Sequence, residues 1–459
     1  MSYSRMVVLP LVQASLFGSL CFPDLNLTQM PNCTGGIVVI VVPFPVQHLV
    51  HGARSRGKEV IAIQIRESDP DVPENLYLAI IRHSGGLDAR SVGETAQKIL
   101  EASKKQEIVA CLCGHDSEIP LQDALACALQ LPGNAPETSA CRSDKWSEIE
   151  QLRSAGLRAT KQAKVMDLAD VKVALDHFTP FPEQVVVKPS NSGGTDGVTV
   201  CLTPEAAVAA IGKLLGTVNG VGLVTDCVVI QEFLQGEEYV VDSISFEGEH
   251  KLVGLWRYDK RPLHGVQFAY FGARLLSSGD ENVKKVVEYY LSVLDALGVM
   301  HGASHGEVKL TPSGPCLVEM GARCHGSRGS WIPLVQEGYG YDQVSAYLDA
   351  ALQPEKFTEL PCWPDFPPSN LSKHFMLLYL QYHTDGVFEK LCPSAWERIR
   401  KMESYFSELL VVERGCEVKK TIDILNSPGF IGLVHEDETV LMADYQSIHD
   451  MMSKLFEIH

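Results

Sequence analysis

This sequence has little positive charge to spare: 39 lysines and arginines stand against 57 aspartates and glutamates, a formal net charge of −18. Such a field repels nucleic-acid phosphates and anionic lipid, so small molecules are the expected partners, with no nucleic acid and no membrane among them. Long apolar runs are also missing, since nothing approaches the ~18 uninterrupted residues of a bilayer span. The thirteen cysteines are odd in number and scattered. They lack the paired spacings of a zinc site and the density of a disulfide scaffold, which indicates a reducing compartment and a cytoplasmic location. Cys111 and Cys113 fall in the apolar run Ile108–Cys113 and read as a buried strand. No internal repeat or low-complexity segment stands out.

Residues 1–35 form an extension that imitates a targeting segment. Arg5 precedes the apolar Met6–Val12, and Ala14–Cys21 continue apolar. Pro10 interrupts that run and no clear small-x-small cleavage site follows, but organelle targeting by this segment is left open. Asn-x-Ser/Thr triplets at Asn26, Asn32 and Asn370 would matter only in a secreted protein.

With 459 residues and 45% apolar content, the chain can bury several cores. The β-branched run 36–42 reads as a strand covered on both faces. A helix at 46–56, a strand at 59–65, a helix at 93–103 and a strand at 108–113 then alternate as a parallel α/β unit does. We therefore expect an open parallel-sheet α/β domain over 36–140. From Ser143 the pattern changes to helix, Gly-rich loop and long paired strands, a second unit over 141–355 with a lid at about 165–230. The Pro-rich stretch 361–368 then introduces a separate C-terminal α+β domain, 360–459. Pro43–His48 are similar to the opening of plant-type glycosyltransferases, but nothing later continues that pattern.

Three constellations carry chemistry. In the first, a strand delivers Lys188 to its end, and a loop with Ser192, Gly193, Gly194 and Gly197 follows. Glycine lets backbone N–H groups fold over phosphates. The loop lacks the Gly-Lys-Ser/Thr ending of a Walker loop, and alone it is equally a ligand-free hairpin. In the second, the strand Val228–Gln231 meets Glu232-Phe233-Leu234 and resumes at Glu238, so that backbone could offer an edge to a planar base while Glu238 reaches a ribose. The third is Gly302-Ala303-Ser304-His305-Gly306-Glu307-Val308-Lys309-Leu310, a turn, and Cys316-Leu317-Val318-Glu319-Met320. A symmetric hairpin centred on Ser313 sets Glu307 opposite Glu319. Like charges facing across a sheet are destabilising unless a cation lies between them, and hard oxygens suit Mg²⁺, or Mn²⁺. The alternative is a solvated polar face. Arg323 nearby favours the metal, because a guanidinium there can hold a transferring phosphoryl oxygen.

In this order the signals resemble the ATP-grasp superfamily, and within it the bacilysin-type L-amino acid ligases. The resemblance runs from about Asp144 to Gly340. It implies an ATP-grasp fold behind a pre-ATP-grasp domain, and a carboxylate-amine ligase that makes an amide through an acyl phosphate from ATP. It further implies that Lys145, Lys188, Ser192, Gly193 and Gly194 hold phosphates, that Gln231, Glu232, Leu234 and Glu238 meet the nucleoside, and that Glu307 and Glu319 bind Mg²⁺. Arg323 would steady the tetrahedral centre. His305 would orient a substrate or move a proton, or else only brace the neighbouring strand. D-alanine ligases more often carry Asn two residues after the second carboxylate, where Gly321 stands here. Arg257, Arg328 and Trp331 are candidates for recognising the carboxylate and amine substrates, the alternative being surface charge and core tryptophans. A homodimer is compatible with this scheme. The rival outcomes are condensation with a non-amino-acid partner in natural-product assembly and an inactive nucleotide-binding relative.

Overall fold

The computed structural model describes residues 35–41, 47–65, 74–279 and 281–459. Pro43–Val46 and nearly all of the N-terminal extension lie outside them. The first unit is a four-stranded parallel sheet in the order Ala79–Arg82, Glu59–Gln64, Ile37–Val41, Ile108–Cys113. Ile37–Val41 are fully buried, because helices cover both faces. Ala89–Ala102 and Ile119–Ala128 pack on one side, and Gln47–Ser55 on the other. Asp88 caps the first of these helices by accepting from the N–H groups of Arg90 and Ser91, a favoured role for Asp at this position.

An eight-stranded sheet forms the centre of the molecule, in the order Gly314–Gly321, Gly302–Thr311, Glu237–Phe246, Glu249–Leu263, Val266–Leu275, His374–Tyr379, Gly429–His435, Tyr405–Leu410. One face packs on Glu281–Ala296; the other shares a core with the helices Ile332–Tyr339 and Gln343–Leu352 and with the parallel sheet. Two features depart from expectation. The strand Val266–Leu275, entered through the left-handed pair His264 and Gly265, has no counterpart in the sequence reading. The C-terminal region is also not separate in its sheet, since His374–Tyr379 pairs directly with Val266–Leu275. The proline-rich stretch leads into His374–Tyr379 at the end of a long excursion from Val266–Leu275 that also carries the glutamate hairpin.

The region expected as a lid holds a smaller antiparallel sheet, Gln162–Val165, Val228–Glu232, Val185–Pro189, Thr199–Cys201, backed by the helix Pro204–Leu214 that Thr203 caps. Its glycine-rich loop leans on the C-terminal region: a Cβ on Gly194 would lie 2.6 Å from Ile424.

Candidate active site

The hairpin that carries the two glutamates is built differently from the symmetric form. Its turn is Pro312-Ser313, with Thr311 paired to Gly314, a register that taken alone would set Glu307 against Val318. A one-residue shift between Glu307 and Val308 restores the pairing of Glu307 with Glu319. The extra residue is Val318, so a β-bulge turns both carboxylates to one face. The Val318 carbonyl lies 3.4 Å from Lys188 Nζ. Gly306, between His305 and Glu307, is required by packing: a Cβ there would fall 1.9 Å from the Tyr290 ring.

Lysines neutralise both carboxylates. Lys145 Nζ is 3.0 Å from Glu319 and also donates to the Ser192 carbonyl. Lys260 Nζ is 3.2 Å from Glu307 and bonds Glu238 as well, and Lys309 is 3.6 Å from Glu238. Burial pushes Lys188 down to about 8, with Lys145 adding to the fall and Glu319 opposing it. Glu148 accepts from the Met320 N–H at 2.8 Å, and burial together with the nearby Glu319 charge holds its carboxyl well above the usual range.

Two cavities meet here. The smaller, about 80 Å³, is lined by Val186, Phe233, Leu234, Phe268 and Val318 with Lys188 and Glu238. The larger, about 760 Å³, runs past Arg323 to the parallel-sheet domain and the C-terminal region. Glu307, Glu319 and Tyr270 line both, which makes the glutamate pair the junction between a flat apolar slot and a roomy polar chamber. Behind the chamber wall, Asp242 is 1% exposed. It takes His305 Nδ1 at 2.7 Å, His325 Nδ1 at 3.0 Å and Trp256 Nε1 at 3.0 Å. A carboxylate only accepts, so both histidines carry their proton on Nδ1. Burial alone would lower His305, but the bond and charge of Asp242 outweigh it and carry the imidazole up to about 9. Its Nε2 faces Glu307 at 3.8 Å.

The ATP-grasp domain model matches residues 181–330. Dapdiamide A synthase of Enterobacter agglomerans is 30% identical over 364 residues, 79% of this chain and 83% of that protein. The chain belongs to the ATP-grasp ligases. Alanine–anticapsin ligase of Bacillus subtilis (strain 168) is 28% identical over 247 residues, 49% of this chain and 50% of that one. The fold matches the crystal structure of an L-amino acid ligase from Bacillus licheniformis with TM-score 0.71 at 19% identity, covering 92% of this chain and 98% of that chain. This protein is thus an ATP-dependent ligase that forms C–N bonds.

Within this ligase, the structure gathers Lys145, Lys188, Ser192, Gly193, Gly194, Glu307, Glu319, His305 and Arg323 around the junction. Gln231, Glu232, Leu234 and Glu238 line the slot. The side chains of Gln231 and Glu232 are engaged elsewhere, by Gln162 at 2.9 Å and by the Lys161 N–H at 2.9 Å, so neither is turned to a base. Arg328 and Trp331 line the chamber. Trp331 is buried and donates its indole N–H to the carbonyls of His325 and Gly326.

Arg257 is a correction. It borders neither cavity and pairs instead with Glu237 at 3.1 Å. Strand side chains alternate, and Trp256 and Tyr258 take the inward positions. Trp256, bonded to Asp242, is a core residue.

Sequence reasoning missed four residues. Asp116 follows the buried strand Ile108–Cys113, at the carboxyl end where parallel sheets present ligand-binding groups. Its Oδ2 accepts from Arg323 Nε at 2.9 Å and Nη2 at 2.7 Å. Burial would raise Asp116, but the charge and hydrogen bond of Arg323, together with His115 and Lys145, hold the carboxyl below its usual value. A Cβ on residue 321 would lie 2.4 Å from Asp116 Oδ1, so glycine leaves room there for the carboxylate. Asp242 was detectable as a lone charge in the apolar run Tyr239-Val240-Val241. Lys260 shares Tyr258's face by the two-residue period, and His325 gave no signal beyond its proximity to Arg323.

Proposed function

We propose that this ligase joins two amino acids, or an amino acid and a related carboxylate, through an acyl phosphate made at the junction of the two cavities, in the manner of the small-amide products its relatives are named for. The observation that carries the reading is Glu307 facing Glu319 across a bulge with Lys145 and Lys188 beside them. Adenine would enter the apolar slot between Val186, Phe233, Phe268 and Val318, held by backbone polar groups near Leu234, with Glu238 accepting from the ribose. Lys145, Lys188 and the N–H groups around Ser192–Gly194 would hold the phosphates.

The donor set suits a divalent ion: two carboxylates on one face, each now balanced by a lysine ammonium, supply hard oxygens of the kind Mg²⁺ takes. Mg²⁺ on Glu307 and Glu319 would neutralise the phosphate tail. The rest is positioning. A substrate carboxylate attacks the γ-phosphorus, ADP leaves, and an amine attacks the acyl phosphate while Arg323, aimed by Asp116, stabilises the oxyanion. Trp331 and Arg328 would border the substrates in the chamber. The unpaired state of every described cysteine fits work in a reducing compartment, and no helix among the described residues is long and apolar enough to cross a membrane.

The test is ADP release with ATP and Mg²⁺ over pairs of L-amino acids, followed by mass analysis. The expected product weighs the sum of its two components less one water. ADP release that no acceptor amine stimulates, with no condensed product, would overturn the proposal.

A further inference from the structure

Among the described residues lining the chamber, His325 is fixed at every point but one. Its backbone N–H donates to Gln343 Oε1 at 2.7 Å, its carbonyl accepts from Trp331 at 3.1 Å, and its Nδ1–H donates to Asp242 at 3.0 Å. The ring stacks on Trp331 at 5.4 Å and meets Trp256 edge-on at 6.0 Å. With Nδ1 protonated, Nε2 carries a lone pair. That atom is buried and has no partner, an arrangement that costs about 1–3 kcal/mol for a polar group. A second unpartnered acceptor on the same wall, Asp116 Oδ1, belongs to a carboxylate that Arg323 keeps ionised and weakly basic. His305 turns its Nε2 to Glu307, and Glu148 is tied to Met320. Burial lowers His325 and so keeps the imidazole neutral, with Asp242 opposing and the charge on His305 assisting.

Resting on the ligase reading above, we infer that His325 Nε2 is the base that takes the proton from the attacking amine. An amino-acid amine arrives as an ammonium, which cannot attack. One N–H proton passes to His325 Nε2, the freed lone pair attacks the acyl-phosphate carbonyl carbon, and the C–N bond forms as the C–O bond to phosphate breaks. The second proton leaves with the phosphate, and the third stays on the amide. Asp242 acts as the positioning residue: it fixes the Nδ1–H tautomer and steadies the imidazolium. His325 reads as a catalytic residue of the second half-reaction alone.

That restriction makes a clean test. Hydroxylamine is unprotonated at neutral pH and traps an acyl phosphate without a base. Wild-type enzyme and His325→Asn, which keeps a donor toward Asp242, are incubated with ATP, Mg²⁺ and single L-amino acids, with either hydroxylamine or a second amino acid as nucleophile. We expect hydroxamate formation by the variant to stay within about twofold of wild type, while amide formation falls by about 10²-fold or more, the usual share of general base catalysis. An equal loss of both products, or retention of both, overturns the assignment. Failure of the wild type to give hydroxamate with any amino acid would instead overturn the ligase reading on which it rests.

Discussion

At the end of the cleft proposed for the nucleotide, the wall comes from the smaller antiparallel sheet, the adjoining strand and the glutamate hairpin, and much of it is contiguous in sequence: Val186 with Lys188, Gln231–Leu234, Glu307 through Glu319. Gly193 and Gly194 face the larger cavity. At the substrate end, the wall draws on the parallel-sheet domain at His48 and Asp116, the loop Arg323–Trp331, and the C-terminal region at Ile424 and Phe430. In the proposed function the first end would bind ATP, a molecule common to a whole family, and can be a set of linear motifs. The second must fit particular substrates, and it is assembled from segments hundreds of residues apart. In that reading, chemistry common to many substrates would sit on the paired strands and selectivity where the segments of the larger cavity meet.

Four experiments sharpen or break this contrast. The largest effect is expected for Glu319→Ala, which removes a carboxylate both ends share. Turnover measured as ADP release should fall by several kcal/mol in barrier, about 10³-fold, at any substrate concentration. Next is Asp116→Ala, at the substrate end alone. It leaves Arg323 unaimed, so kcat/KM for amide formation should drop about 10²-fold, while the ATP dissociation constant, read by calorimetry, stays unchanged. A parallel loss of ATP affinity would show that the two ends are not separable. Third, the nucleotide end should respond to pH through Lys188. Its ammonium is lost as pH rises through about 8, and phosphates favour the protonated form. ADP affinity should thus be full below pH 8 and weaken by up to about tenfold per unit above it, with Lys188→Arg flattening the profile. The smallest effect belongs to Arg257→Ala, outside both cavities, which should leave KM for every substrate within about twofold. A large rise in KM would restore it to the substrate site.

Much of the nucleotide end was legible because its signals are local. A strand ending in Lys188 before several glycines, and two carboxylates astride a turn, can be read from spacing and alternation alone. The strand Val266–Leu275 was not, since Gly272 and Arg274 interrupt its apolar run and, of its two partners, Glu249–Leu263 is adjacent in the chain while His374–Tyr379 lies beyond the prolines at 361–368. Arg257 was misassigned because charge near a site says nothing of the face it occupies, whereas the alternation with Trp256 does. Asp116 and Asp242 act through partners that lie 207 residues away at Arg323 and 63 residues away at His305, and no window along the chain contains such pairs.

The amino-acid sequence by itself determined most strands and helices, though not Val266–Leu275, and the order along the chain of the glycine loop, the hinge at Gln231–Leu234 and the glutamate pair, because these follow from periodicity and from residue types close in the chain. Tertiary structure alone decided three things: that a bulge at Val318, and not a symmetric turn, brings Glu307 and Glu319 to one face; that Gly321 makes room for a carboxylate from another domain; and that His325 is pinned with a single nitrogen unclaimed. Each depends on atoms from distant segments competing for the same few ångströms, and that competition exists only once the chain has packed.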